Sequence, residues 1–234
     1  MPLSKNPNID DLIEQYDYKT DRILKSYFHP IADSLWDEIK CYGEAANDYG
    51  QVLSKHLQRT SKLGEDFLVQ CLGFSEKAGH NFYEANLFQD LGKIHPEYDP
   101  AIWNLPHRPT DEERAEKRKH VDRGADLIET ALEAESDAIN THQHIYVIKG
   151  IQMYHHERVD GTGRYKLTGD RMGNVLKAIC IIDAFDGDMI HRPHQPAKRT
   201  PDETLDRLQN GEKYQGAFDT DMLAQFIDFY RSTH

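Results

Sequence analysis

Apolar residues recur along this chain at three- and four-residue spacing, punctuated by helix caps and without strand-like alternation, which leaves few folds open to it. The run IDDLIEQYDYKTDRILKSYFHPIADSLWDEIKCYGEAAN reads as helix, interrupted only around Pro30. YGQVLSKHLQRTSKLGEDFLVQCL carries the pattern from Tyr49 to Leu72, with Gly73 placed to end it. NFYEANLFQDLGK reads as a shorter buried helix stopped by Gly92, followed by the proline-rich connector HPEYDPAIWNLPHRPT. Two capping boxes announce further helices, Thr110 with Glu113 and Thr200 with Glu203, the second with Pro201 at its first helical position. The helix after Thr110 is expected to run on through KRKHVDRGADLIETALE. THQHIYVIKGIQMYHHE, GNVLKAICIIDAFDGDM and FDTDMLAQFIDFYR complete the helical set, the last started by Asp219 or Thr220. The expected fold class is all-α.

A chain of 234 residues can build one sizeable core or two small ones. Its formal charge of −12 argues against a broad electrostatic contact with DNA, RNA or an anionic membrane. A small phosphate ligand remains compatible, because bound divalent cations reverse the field locally. No apolar run approaches the roughly 18 residues of a membrane span, and MPLSKNPNIDDLIEQYDY has no apolar core of the signal-peptide kind. Cys41, Cys71 and Cys180 are odd in number and far apart, which suits free thiols in a reducing compartment; the expected location is cytoplasmic. Thirteen histidines are the compositional hint of a metal.

The stretch Tyr154 to Tyr165, YHHERVDGTGRY, sharpens that hint. Neighbouring helical positions point about 100° apart, so His155 and His156 approach one polar centre only where an element ends. Gly161 and Gly163 supply the break. Further ligand types lie elsewhere: His56 in SKHLQR, Asp90 in FQDLGK with Lys93 three residues on, His120 in a basic run, and Asp183 after four apolar positions. Taken singly, each reads as filler, a solvated face or a helix-end charge.

Taken together and in order, they resemble the HD-GYP branch of the HD-domain phosphohydrolases, over about 175 residues from His56 to Tyr230. The family's helical histidine is matched by His56, its HD-x-GK by FQDLGK, and its LTxEE start by RPTDEE. A histidine with a glycine shortly after is matched by His120 and Gly124, HHExxDGxGYP by HHERVDGTGRY, and the D-x-x-D segment before RPY by IIDAFDGDMIHRPH. The resemblance implies an HD-domain helical bundle at 49–234 and an additional N-terminal helical region at 1–48, a candidate element for homodimerisation or for a signalling partner. It implies two divalent metal ions, most often iron or manganese, held by His56, Gln89, Asp90, His120, His155, His156 and Asp183, with Asp90 as the bridge. Asp90 and Lys93 would be catalytic, and Lys93, Arg164 and Arg192 would bind substrate. The implied activity is bacterial signalling chemistry: hydrolysis of cyclic di-GMP or a related cyclic dinucleotide by a two-metal activated water.

Several positions depart from the family pattern. Gln89 replaces the HD histidine, and Arg164 stands where GYP has its tyrosine. Val52 replaces the glutamate of three-metal members, so two metals at most are expected, and Gln195 replaces a basic residue after RPY. These changes keep two alternatives open: a catalytically degenerate module that binds a nucleotide or a protein, and an HD-family phosphohydrolase with another nucleotide or phosphate-ester substrate. Glu157 and Asp160 are expected to support the turn and not to ligate. His142, His144, His191 and His194 have no place in the pattern and are expected at the surface.

Overall fold

In the computed structural model, which describes residues 8–45 and 49–234, helix follows helix. They are α1 (Ile9–Leu12), α2 (His29–Ala45), α3 (Tyr49–Gln70), α4 (Glu76–Asn86), α5 (Asp111–Arg118), α6 (His120–Leu132), α7 (Asp137–Asn140), α8 (Gln143–Tyr154), α9 (Asn174–Met189), α10 (Pro201–Asn210) and α11 (Thr220–Thr233). Among the described residues there is no β-strand, only an isolated bridge between Asp160 and Thr168. The fold is all-α. Residues 1–7 and 46–48 of the expected N-terminal region lie outside the described residues. No helix among the described residues is long and apolar enough to cross a membrane.

Local chemistry sets most helix ends. Both capping boxes form: the Thr110 and Thr200 hydroxyls accept from the Glu113 and Glu203 N–H groups, and each glutamate accepts the threonine N–H in return. Asp219 caps α11 by accepting from Met222 N–H. Gly73 ends the α3 turn in the left-handed region, at φ +76°.

The observed helices depart from the expected ones in three places. The first expected helix breaks after α1, not at Pro30; from Arg22 the helix runs on without a gap through a π-helical segment at Leu24–Phe28, directly before Pro30, into α2. Asn81 of α4 holds the break open, accepting from Tyr18 N–H and donating to the carbonyls of Ile13 and Tyr16. The helix expected to stop at Gly92 instead starts at Glu76, capped by Ser75, and ends at Asn86, leaving Gln89 and Asp90 in a turn before a 3₁₀ segment at Leu91–Ile94. The helix begun at Thr110 breaks at Lys119 and restarts at His120, whose Nδ1 bonds the Lys117 carbonyl and draws it from the backbone ladder.

The buried core is continuous from the N-terminal segment to α11. Phe67 of α3, Phe185 of α9 and Phe226 of α11 pack edge to face at 5.4 Å. Asp10 of α1 accepts from the Asn174 and Val175 N–H groups at the start of α9, where a carboxylate also meets the positive end of the helix dipole. Ile9 lies where a Cβ on Gly150 would approach within 2.5 Å. The same segment buries two histidines expected at the surface. His144 is fully enclosed, with its Nδ1 2.9 Å from the Tyr16 hydroxyl, and His142 caps α8 by accepting from His144 N–H. His191 is exposed and His194 partly so.

Beside this segment, burial and then the Glu65 charge raise the Glu84 carboxyl to about 7. A raised carboxyl favours the protonated folded state. Its contribution is therefore present below the ordinary pKa near 4.5 and is lost as pH rises through about 7. Glu84→Gln is expected to flatten the fall in stability between pH 4.5 and 7, and to raise stability at pH 8 by roughly 2 kcal/mol after allowance for partial solvation. Paired urea melts of the two proteins check this, and parallel pH profiles would contradict it.

Candidate metal centre

Each ligand-type side chain is delivered by a different element. His56 points inward from the middle of α3, Asp90 from the turn after α4, His120 from the first residue of α6, and Asp183 from α9. His155 is the C-cap of α8, and His156 follows as the chain leaves the helix, the element end that the adjacent pair required. Asp90 holds φ −109° and ψ 18°, between the helical and extended regions, which aims its carboxylate across the bundle.

Two groups of donors result, Asp90 with His120, His155 and His156, and Asp90 with His56 and Asp183. Asp90 Oδ1 lies 3.1 Å from His120 Nε2 and 3.6 Å from His155 Nε2, while its Oδ2 lies 3.5 Å from His56 Nε2. Asp183 repeats the arrangement, with Oδ1 3.2 Å from His56 Nε2 and Oδ2 3.3 Å from His156 Nδ1. Metal–ligand bonds of about 2.0–2.2 Å put neighbouring donors of one coordination shell roughly 3.0–3.5 Å apart, so these separations suit a shared ion.

The histidine tautomers point the same way. His120 Nδ1 is 2.5 Å from the Lys117 carbonyl, and His155 Nδ1 is 2.9 Å from that of Gln152. A carbonyl has no proton to give, so both Nδ1 atoms carry the hydrogen, and in the neutral rings both Nε2 atoms are bare. Those bare nitrogens stand 3.5 Å apart and face Asp90 Oδ1, a buried acceptor with no hydrogen-bond donor. Burial lowers the His120 pKa despite Asp90, whereas Asp90 outweighs burial and raises that of His155. Burial would raise Asp90, but Lys93 and then the surrounding imidazoles hold it ionised, well below the ordinary carboxylate range. The donor set fits first-row divalent metals.

All seven expected ligand positions come together here, Gln89 in a distinct way. Its amide nitrogen lies 3.3 Å from His56 Nε2 and 3.5 Å from Asp183 Oδ1, while its buried Oε1 has no partner. Lys93 reaches Asp90 Oδ2 at 2.5 Å. Two cavities open on the cluster. One of about 260 Å³ joins His56 and Asp183 to Lys93, Trp103 and Arg192. The other, about 450 Å³, joins His155 and His156 to Lys117, Arg158 and Arg164. Arg164 is tethered to α5 and α6, donating to the Arg118 carbonyl at 2.7 Å and pairing with the Asp122 carboxylate. Glu157 is buried and accepts from the Tyr165 and Leu167 N–H groups, and Asp160 accepts from Thr162 N–H; both shape the turn.

Sequence reasoning left Asp186 and Arg59 without a role. His56 Nδ1 bonds Asp186 Oδ2 at 2.6 Å, and Arg59 forks onto the same carboxylate at 2.6 and 2.8 Å, so the pair orients His56. The signal was spacing: Asp186 follows Asp183 by one helical turn, as Arg59 follows His56. The roles of Gly92 and Gly124 also emerge only here. A Cβ on Gly92 would fall 1.8 Å from the His120 carbonyl oxygen and 2.5 Å from Gly124 N. Two bare backbones touch there, and that contact brings His120 to Asp90.

No family model matches the chain. The cyclic di-GMP phosphodiesterase PA4108 of Pseudomonas aeruginosa is 26% identical over 144 residues, a match that takes in 61% of this chain and 31% of that protein. The match thus spans under a third of the relative's length. Among solved structures, Bd1817, a HDG"Y"P protein from Bdellovibrio bacteriovorus, aligns with a TM-score of 0.60 and 16% identity, over 96% of this chain and 68% of that one. The structural likeness shows a shared helical fold, and the two findings together support the HD-GYP resemblance of the motifs.

Gly92→Ala is expected to destabilise the protein by about 2–3 kcal/mol, because the atoms it strikes are backbone and cannot turn aside. Its Tm should fall by roughly 5–10 °C in a thermal melt. Gln89→His is expected to raise tightly held manganese per chain, measured by elemental analysis after dialysis. An unchanged metal content would mean that position 89 does not limit binding.

Proposed function

We propose that this divergent HD-GYP protein is a metal-dependent phosphodiesterase that hydrolyses cyclic di-GMP or a related cyclic dinucleotide. The observation that carries this reading is the convergence of bare imidazole nitrogens on a carboxylate oxygen with no donor, within two donor groups that share Asp90. Two divalent ions, iron or manganese, held by His56, Asp90, His120, His155, His156 and Asp183, with Gln89 a further ligand through its carbonyl, would supply positive charge to the phosphodiester and a nucleophilic water near neutral pH.

The chain's own groups do the rest. Asp90 stays ionised and presents one oxygen to each donor group. Lys93, on the wall of the smaller cavity, holds Asp90 in place and has N–H donors to spare for a phosphate oxygen. Arg192, whose N–H is fixed by the Gln195 side chain, offers its guanidinium from the same wall. Arg164, held against Asp122, lines the larger cavity and supplies positive charge there.

One observation favours a second reading, a non-catalytic nucleotide-binding module. Gln89 turns an amide N–H toward His56 and Asp183, and a donor in that place opposes a cation. The two readings separate on Asp90→Asn in manganese-loaded protein. The phosphodiesterase reading expects about two metal equivalents in the parent, and in the variant loss of metal with at least a ~100-fold fall in dinucleotide hydrolysis. Hydrolysis that survives Asp90→Asn would overturn it. A parent that binds nucleotide without metal or turnover would establish the binding module.

A further inference from the structure

Beside the metal cluster, three cations converge on one aromatic ring. Lys93 Nζ lies 4.1 Å, Lys117 Nζ 4.9 Å and the Arg192 guanidinium carbon 5.5 Å from the centre of the Trp103 ring. A single cation over an indole face is an ordinary stabilising contact. Three together bring like charges close in a half-buried place, in a chain whose net charge is −12.

For the two lysines the described surroundings offer little compensation. Lys93 shares Asp90 with the imidazoles. Among the described residues Lys117 forms no ion pair; the acid that acts on it is Glu113, whose carboxylate is taken up by His107 and the Thr110 N–H. As a basic residue in the last turn of α5, Lys117 suits the helix dipole. The dipole does not explain why its side chain turns in against Trp103 instead of out to water.

The cation group also sits next to the reacting centre. The Lys117 carbonyl receives His120 Nδ1, and the Trp103 ring packs edge-on to the His120 ring at 6.1 Å. Trp103, Lys93 and Arg192 line the smaller cavity, and Lys117 lines the larger. An anion bound here would be close to the metal ligands without being held by them.

We propose that Lys117, with Trp103 and Arg192, forms a subsite for a second, non-scissile phosphate of a dinucleotide substrate. That phosphate is the remaining diester of a cyclic dinucleotide or the terminal monoester of a linear one. The assignment rests on the phosphodiesterase reading for the identity of the substrate. Trp103 keeps the Lys117 ammonium extended beside Lys93 and Arg192, and the phosphate gives that ammonium its counter-charge.

Two probes isolate the second phosphate: the linear guanine dinucleotide with a 5′-phosphate and the same dinucleotide without it. Calorimetry on metal-free protein is expected to show about tenfold tighter binding of the phosphorylated form. Lys117→Met should shrink that preference to about twofold or less, and Lys117→Arg should retain it. Lys117→Gln, read in the same way, serves if the methionine variant melts early. No preference in the parent, or an undiminished one in the neutral variants, would overturn the subsite. The readout needs no turnover. If manganese-loaded parent cleaves neither probe nor the cyclic compound, the phosphodiesterase reading fails, while the binding ratio still decides the subsite.

Discussion

Asp90 is a carboxylate with no solvent exposure that stays charged. Charge in a protein interior is tolerated only where opposite charge or hydrogen bonds replace the lost water. Much of the surrounding architecture can be traced to that requirement. Lys93 lies one 3₁₀ turn away and folds back onto it. The Gly92–Gly124 backbone contact lets α6 approach until His120 reaches one oxygen, and α3 brings His56 to the other. Gln152 of α8 donates to the Phe88 carbonyl at 2.9 Å and steadies the turn that carries Asp90. Asp186 and Arg59 then hold the far side of His56.

The electrostatics around this centre run against those of the whole chain. The protein is strongly acidic, yet both cavities that open on the cluster are rimmed by lysine and arginine. Some of these cations are already matched: Arg164 by Asp122, and Lys213 near Asp188, which Arg199 and Arg207 also approach. Lys93 and Lys117 face Trp103 instead. A local positive field within a negative envelope attracts small anions and discourages long polyanions, which fits a small phosphate ligand better than a nucleic acid.

What could be read in advance followed from how local each feature is. Both capping boxes, the Gly73 stop and the Asp219 cap depend on residues within one turn of each other, and all formed. The break at Lys119 comes from a side chain within one turn, the His120 imidazole, that no capping pattern announces. The helix break at 13–21 did not follow local rules, because Asn81 holds it from more than 60 residues away. His142 and His144 were misplaced for the same reason: the segment that covers them lies more than 100 residues earlier. In the site, the ligand types were legible through their order along the chain. Asp186 and Arg59 were visible as one-turn repeats without a role, and nothing in sequence separated Trp103 or Lys117 from ordinary connector and helix-end residues.

The amino-acid order by itself determined that the chain is helical, where most helices start, and which histidines and aspartates are available as ligands, since these depend on side-chain type and on contacts within a turn or two. The tertiary structure alone decided that these groups meet. It decided that Asp90 serves both donor groups, that Gln89 turns its amide nitrogen toward His56, and that three cations share Trp103. The physical reason is that these relations span helices packed through a close-packed core, where positions are set by which backbones can touch, as at Gly92 and Gly124, and not by any local preference of the residues concerned.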